Sequence, residues 1–221
     1  MSMLQVVLFD LDGTLADTAP DLGLALNLQR ERHGLAPLPQ ATIRPFASHG
    51  SRGLLGIGFG LKPEDAAFPE MREEYLDLYD QVFAHSPRMF DGMAEVLQAL
   101  EGRGVRWGVV TNKPRRFTLP LMAALELAER ATCIVSGDDA ANPKPYPDTL
   151  LLACAIAQTE PAACLYVGDA ERDVQAGNAA GMHTVVARYG YLDTHDKPET
   201  WGAMAMIDAP LDLLQGIGLV Y

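Results

Sequence analysis

Val6-Val7-Leu8-Phe9-Asp10-Leu11-Asp12-Gly13-Thr14 carries four apolar residues straight into two carboxylates one position apart. The run Val6–Phe9, β-branched and aromatic, reads as a strand buried on both faces. Two aspartates at that spacing reach one site only if the chain leaves the strand between them, and Gly13 permits the sharp turn and a close approach to a ligand. An aspartate capping a helix or turn would account for one carboxylate, but not for both.

Working outward, further short apolar runs recur as Trp107-Gly108-Val109-Val110, Cys133-Ile134-Val135, Leu165-Tyr166-Val167 and Thr184-Val185-Val186. Helix-length segments separate them. One places Met93, Val96, Leu97 and Leu100 on a single face before Gly102 and Gly104 stop it. Alternating strands and helices predict an α/β fold: a Rossmann-like, doubly wound parallel sheet with right-handed crossovers. The alternation breaks once, from Ala16 to Ala84, where helical patterns run without a strand. This predicts an inserted helical domain over 16–85, with residues 1–15 and 86–221 forming the sheet domain. The first helix of the insert is expected to start near Thr18, with Pro20 and Asp21 in its first turn, and to end at His33-Gly34. Phe68, Met71, Tyr75, Leu78 and Val82 share a later helical face and read as packing within the insert. Leu15–Thr18 and His85–Phe90 are the expected hinges. The tail after His195 predicts an edge strand around Met204–Ile207 and a closing helix.

Three more segments fall just beyond strand ends. In Gly168-Asp169-Ala170-Glu171-Arg172-Asp173, Asp169 leaves its strand and Asp173 enters the first turn of the next helix, so both can face one cation; acidic residues also suit first turns for their own sake. Thr111-Asn112 ends the second strand ahead of Pro114. A hydroxyl, an amide and free N–H groups there suit an anion, although a simple N-cap reads the pair equally well. Lys144 sits among the prolines of Asn142-Pro143-Lys144-Pro145-Tyr146-Pro147, which hold it as a positioned charge. Carboxyl ends of strands in an open parallel sheet face the ligand crevice, so the four segments should meet. Asp10, Asp12, Asp169 and Asp173 would then converge with Lys144 as the only nearby cation from these segments. Such repulsion calls for a divalent ion, and an oxygen-only donor set selects Mg²⁺.

With 29 Asp+Glu against 17 Lys+Arg, the chain lacks the basic footprint that nucleic acid or an anionic membrane requires. Cys133, Cys154 and Cys164 are odd in number and scattered, which suits neither a disulfide framework nor a zinc site. No stretch reads as a signal peptide or a membrane span, so the expectation is a cytoplasmic protein with a small partner. Gly56-Ile57-Gly58-Phe59-Gly60 follows no strand and is not read as a nucleotide loop.

Asp10–Thr14, Thr111, Lys144 and Gly168–Asp173 together resemble the four motifs of the haloacid dehalogenase superfamily. The resemblance implies that Asp10 is the nucleophile and Asp12 the acid/base, and that Thr111 and Lys144 hold the phosphoryl group. It further implies that Asp10, Asp12 (through its carbonyl) and Asp169 serve Mg²⁺, with Asp173 supporting, and that the insert is a helical cap. The presence of Asp12 favours phosphate ester chemistry over dehalogenation or phosphonate cleavage. Thr111-Asn112-Lys113-Pro114 and Lys144-Pro145 are similar to the phosphoglycolate phosphatase group. Asp10–Leu22, Trp107–Leu121 and Leu165–Gly181 are also similar to N-acetylmuramic acid 6-phosphate phosphatases. The resemblance thus implies a Mg²⁺-dependent phosphomonoester hydrolase, a monomer or homodimer acting on a small phosphorylated metabolite: phosphoglycolate phosphatase-like first, N-acetylmuramic acid 6-phosphate phosphatase as the alternative, with a sugar-phosphate mutase and a non-catalytic phosphate-binding regulator behind them. Substrate-contacting positions are Gly13, Thr111, Asn112 and Lys144, joined from the insert by Arg52, expected to grip a substrate carboxylate, and His49.

Overall fold

The computed structural model describes residues 4–84 and 87–217. Among them, β1 (Val6–Phe9), β2 (Arg106–Val110), β3 (Ile134–Val135), β4 (Cys164–Gly168), β5 (His183–Ala187) and β6 (Ala205–Ile207) form one sheet in the order β3-β2-β1-β4-β5-β6. Every pairing is parallel. The apolar runs of the sequence are these strands, and the Met204–Ile207 run supplies the edge strand. The predicted α/β fold with a parallel sheet is what the chain adopts. β1 is central, with Phe9 level with Val109 of β2 and Val167 of β4, so the ends carrying Asp10, Thr111 and Asp169 lie side by side.

Alternation along each strand assigns residues to the two faces. Val7, Phe9, Trp107, Val109, Leu165 and Val167 pack with Met93, Val96, Leu97 and Leu100 of α5 (Met93–Gly102), and with Leu121 and Met122. Val6, Leu8, Cys164 and Tyr166 face the other way, against α7 (Asp148–Ala157) and α8 (Glu171–Ala180). The last helix, α9 (Asp212–Ile217), closes the first face through Leu213. Fully burying each large aliphatic side chain is worth about 1.5–3 kcal/mol, which is why near-continuous apolar strands need helices on both sides.

A third apolar cluster belongs to α1 (Ala19–Arg32), the short α2 (Gln40–Ile43), α3 (Gly50–Phe59) and α4 (Phe68–Val82), with Phe117 and Tyr191 joining from the sheet side. α1 begins after Thr18 and ends at His33, and the Thr18 side chain makes no cap to the helix. Its hydroxyl donates to Asp12 Oδ1 (2.6 Å), while the N–H groups of Thr18 and Ala19 donate to Tyr191 Oη (2.7 and 2.9 Å). The helix terminus is satisfied from outside the insert. Gly56–Gly60 is the end of α3, with Gly60 left-handed as its C-cap. The stripe from Phe68 to Val82 packs inward, except that Met71 is only half buried.

The expected hinge strands lie against each other: Asp17 N–H donates to Arg88 O (3.0 Å) and Phe90 N–H to Leu15 O (3.2 Å). His85 and Ser86, which begin the second expected hinge, fall outside the described residues. Asp17 accepts from Arg44 (2.8 Å), Arg88 (3.0 Å) and Tyr191 Oη (2.9 Å), tying both linkers to the sheet side. Gly177 and Gly181 serve different ends. A Cβ on Gly177 would lie 2.3 Å from Thr184, whereas Gly181 is the left-handed C-cap of α8 with open space around it. Among the described residues no helix is long and apolar enough to cross a membrane.

Candidate active site

Asp10 leaves β1 with its backbone N–H still donating to Val167 O (2.8 Å), so the carboxylate emerges where β1 and β4 end. Asp10 Oδ1 accepts from Leu11 N–H (2.7 Å) and lies 3.0 Å from Lys144 Nζ. Gly13, with φ at +85°, brings the turn so close to Asp169 that a Cβ would sit 2.2 Å from Oδ2. Only glycine serves there, on grounds of both backbone and space.

Lys144 is fully enclosed, its side chain 0 % exposed. Its ammonium donates to Asp173 Oδ1 (2.7 Å), Tyr166 Oη (2.7 Å) and Val110 O (3.2 Å). Asn112 builds this site by clamping the lysine backbone: Nδ2 donates to Lys144 O (2.8 Å), and Lys144 N–H donates to Asn112 Oδ1 (2.9 Å). The amide expected to contact an anion is therefore engaged in ordering the Lys144 loop. The anion-binding terminus expected after Thr111 is altered too. The helix that starts there, α6 (Arg115–Ala124), has its Arg115 N–H satisfied by Asp138 Oδ1 (2.8 Å). Thr111 itself is buried and accepts from Lys113 N–H (3.1 Å).

Asp10, Asp169 and Asp173 are all buried, and one carboxylate oxygen from each lies within 4.8 Å of the others. Crowding and burial act on them unequally. Burial first, then Asp10 and Asp173, push Asp169 up to about 7. Burial raises Asp10 despite Lys144. For Asp173 burial acts upward as well, but Lys144 and Arg172 outweigh it and hold the carboxyl below its usual value. Asp169 accepts from Ser48 Oγ (2.6 Å), from Tyr191 N–H (2.9 Å) and from Thr14 Oγ1 (3.3 Å).

The expected convergence of four carboxylates on one lysine needs correcting. The carboxylate of Asp12 is outside the three-aspartate cluster and has its own cation, Lys113, at 3.1 Å. Arg172 supplies another charge: it donates to Ser48 O (2.7 Å) and lies near enough to Asp10, Asp169 and Asp173 for them to raise its own pKa. Repulsion between like charges is thus partly relieved by the chain itself. Lys113 and Arg172 stand inside or beside the motif segments, so the residues are visible in the sequence, but nothing local marks their partners. Lys113 meets Asp12 across 101 positions.

Above these groups opens a cavity of about 1230 Å³ lined by Asp10, Asp12, Thr111, Lys144 and Asp169 from the sheet side. Phe46, His49, Arg52, Lys62 and Arg72 line it from the segment between β1 and β2. His49 and Arg52 are both exposed, so the two expected specificity residues stand on the cavity wall with polar atoms available to a ligand.

The chain belongs to the haloacid dehalogenase-like hydrolase family, whose profile matches residues 7–187. It is 42 % identical over 211 residues, 96 % of this chain and 93 % of the relative, to an N-acetylmuramic acid 6-phosphate phosphatase of Pseudomonas aeruginosa. It is 38 % identical over 209 residues, 95 % of this chain and 94 % of the relative, to a phosphoglycolate phosphatase of Xanthomonas campestris pv. campestris. A solved structure, described as a "predicted phosphoglycolate phosphatase" from Haemophilus somnus, shares the fold, with a TM-score of 0.83 at 24 % identity, covering 97 % of this chain and 98 % of that one. Within the family, the chain is a phosphatase.

Proposed function

We propose that the chain hydrolyses a small, carboxylate-bearing phosphomonoester through an aspartyl phosphate on Asp10, with Mg²⁺ bound beside it. The observation that carries this reading is the meeting of Asp10, Lys144, Asp169 and Asp173 at adjacent strand ends beneath one large cavity. In the first half-reaction an Asp10 oxygen attacks phosphorus while the bond to the ester oxygen breaks, and Asp12 gives that oxygen a proton. In the second, Asp12 takes a proton from the water that attacks the phosphoryl group, and Asp10 is released. Lys144 and the Thr111 hydroxyl neutralise phosphoryl oxygens. Asp10, Asp169 and Asp173 fit a hard divalent ion because their donors are all oxygen and mutually within reach, with Asp12 contributing its carbonyl by family resemblance. Bound there, Mg²⁺ would supply positive charge against the phosphoryl group. Residues 16–85 act in this reading as a cap over a core made of 1–15 and 86–221. A cytoplasmic setting suits the three free thiols.

Because Asp169 sits at about 7, a proton competes with the metal. Mg²⁺ should raise the melting temperature, and its apparent affinity should weaken by about tenfold from pH 8 to pH 6 as Asp169 becomes protonated. Thermal denaturation over a Mg²⁺ series at both values checks this. A melting point indifferent to Mg²⁺, or an affinity indifferent to pH, would remove Asp169 from the metal site.

Cavity size bears on the substrate. A volume of about 1230 Å³ is far more than a two-carbon acid phosphate fills, and pockets near 10³ Å³ suit ligands of sugar size or larger. This supports N-acetylmuramic acid 6-phosphate ahead of phosphoglycolate. Measuring kcat/KM on both, on N-acetylglucosamine 6-phosphate and on p-nitrophenyl phosphate is the test, and a clear preference for phosphoglycolate would reverse the order. Arg52→Ala should lose about 10- to 100-fold in kcat/KM on a substrate with a carboxylate, through one charge-assisted contact, and little on N-acetylglucosamine 6-phosphate. Equal losses on the two sugars would take Arg52 out of carboxylate recognition and direct attention to His49.

A further inference from the structure

Lys113 has no part in the reading above, yet its side chain is only 5 % exposed. Its ammonium donates to Tyr79 Oη (2.8 Å) and reaches Asp12 Oδ1 (3.1 Å) and Oδ2 (3.4 Å). It also lies 4.7 Å from the Tyr79 ring centroid. An ammonium withdrawn from water is tolerated only where fixed partners replace its hydration, so lysine and partners hold one another in place. The backbone of Lys113 is anchored as well. Its N–H donates to Thr111 Oγ1 (3.1 Å), and its carbonyl accepts from Gly137 N–H (3.0 Å) and Thr118 Oγ1 (3.1 Å). Tyr79, buried on α4, packs edge-on against Phe117 of α6 with ring centroids 5.0 Å apart. Burial keeps its phenol protonated, so Tyr79 is a neutral partner.

We infer that Lys113, seated by Tyr79, is a positioning residue that holds the Asp12 carboxyl in the orientation from which it exchanges a proton with the ester oxygen. The inference rests on the proton-transfer role proposed for Asp12. Thr18 Oγ1 and Lys113 both converge on Oδ1, which leaves Oδ2 with only the longer contact to Lys113 among the described residues. Oδ2 is therefore the oxygen left free to face the ester oxygen. As the P–O bond breaks, its electron pair goes to the ester oxygen and the proton on Oδ2 follows; Lys113 keeps its own protons throughout. Since Tyr79 lies on the insert while Lys113 and Asp12 lie on the sheet side, the geometry is complete only with α4 docked.

A residue acting through Asp12 should matter in proportion to the leaving group's need for a proton. The experiment measures kcat/KM, which reports P–O cleavage, for substituted phenyl phosphates from p-nitro to p-methoxy. Lys113→Met should lose about 30-fold or more on p-methoxyphenyl phosphate and about 3-fold or less on p-nitrophenyl phosphate. Asp12→Asn should show the same steepening, and combining the two should add little. Tyr79→Phe removes one hydroxyl and keeps the ring packing; it should steepen the series by about 3- to 10-fold and carries the test if Lys113→Met does not fold. Uniform losses in Lys113→Met would make Lys113 a phosphate ligand and overturn the inference. A steep series in Asp12→Asn beside flat ones in Lys113→Met and Tyr79→Phe would overturn it alone. A flat series in Asp12→Asn would remove the role of Asp12 and the inference with it.

Discussion

Asp10→Asn should lower kcat by at least about 10³-fold and leave the fold intact, because a carboxamide keeps the shape of the nucleophile without its reactivity. The substituted side chain can still accept from Leu11 N–H, which donates to Oδ1 at 2.7 Å in the native chain. Lys144 would lose the Asp10 charge at 3.0 Å, but it keeps Asp173 at 2.7 Å. Removing a carboxylate whose pKa burial has raised also relieves Asp169, which Asp10 pushes upward. The melting temperature should accordingly stay near that of the native protein. Rapid acid quench with mass spectrometry gives a second readout: a phosphorylated species in the native enzyme and none in the variant. Near-normal turnover would sink the covalent route.

Lys144→Met is expected to damage both activity and stability. The ammonium is the shared partner of Asp10 and Asp173, and with it gone two buried carboxylates face each other and Asp169. Breaking a buried pair by removing one partner costs about 3–5 kcal/mol, far more than loss of a surface pair. The phosphoryl group loses a positioned charge as well, worth about 10²- to 10³-fold in kcat/KM. The pH dependence has a definite sign. In the native chain Asp173 is held below its usual value, so its contribution is present above the unfolded pKa and lost as pH falls through the folded one. Without Lys144 that contribution disappears, and carboxylates raised by burial are relieved on protonation. Urea midpoints of the variant should therefore rise from pH 7 to pH 5, and Mg²⁺ should recover part of the loss at pH 7. An unchanged midpoint at pH 7 would show that the pairs with Asp10 and Asp173 carry no net stability.

Much of the architecture is legible in the sequence because its causes are local. Val6–Phe9 and the other apolar runs cannot be left facing water on either side, and the helices between them carry apolar faces at helical spacing, so a parallel sheet covered on both sides follows. The motif residues are legible for a related reason. Asp10, Thr111, Lys144 and Asp169 each follow a strand or a proline-fixed turn, and parallel strands deliver such positions to one edge. Thr18 shows where local reading fails. It stands where an N-cap belongs, yet its hydroxyl goes to Asp12 and Tyr191 supplies the acceptor for the helix terminus. Asn112 is similar: its position suits an anion, but the Lys144 loop takes both ends of its amide.

The sheet, the helices and the set of residues brought to the strand ends follow from local patterns, since hydrophobic periodicity and turn chemistry act over a few residues. Which charge meets which follows from packing between distant segments. The prolines around Lys144 mark it as a fixed charge, but its choice of Asp10 and Asp173 over Asp12 depends on Asn112 holding its loop. Lys113 was free to be a surface lysine until α4 packed Tyr79 against it beside Asp12, 101 positions away in the chain. Electrostatic pairing depends on distance and burial rather than on neighbours in sequence, so it is settled when the insert and the sheet pack together.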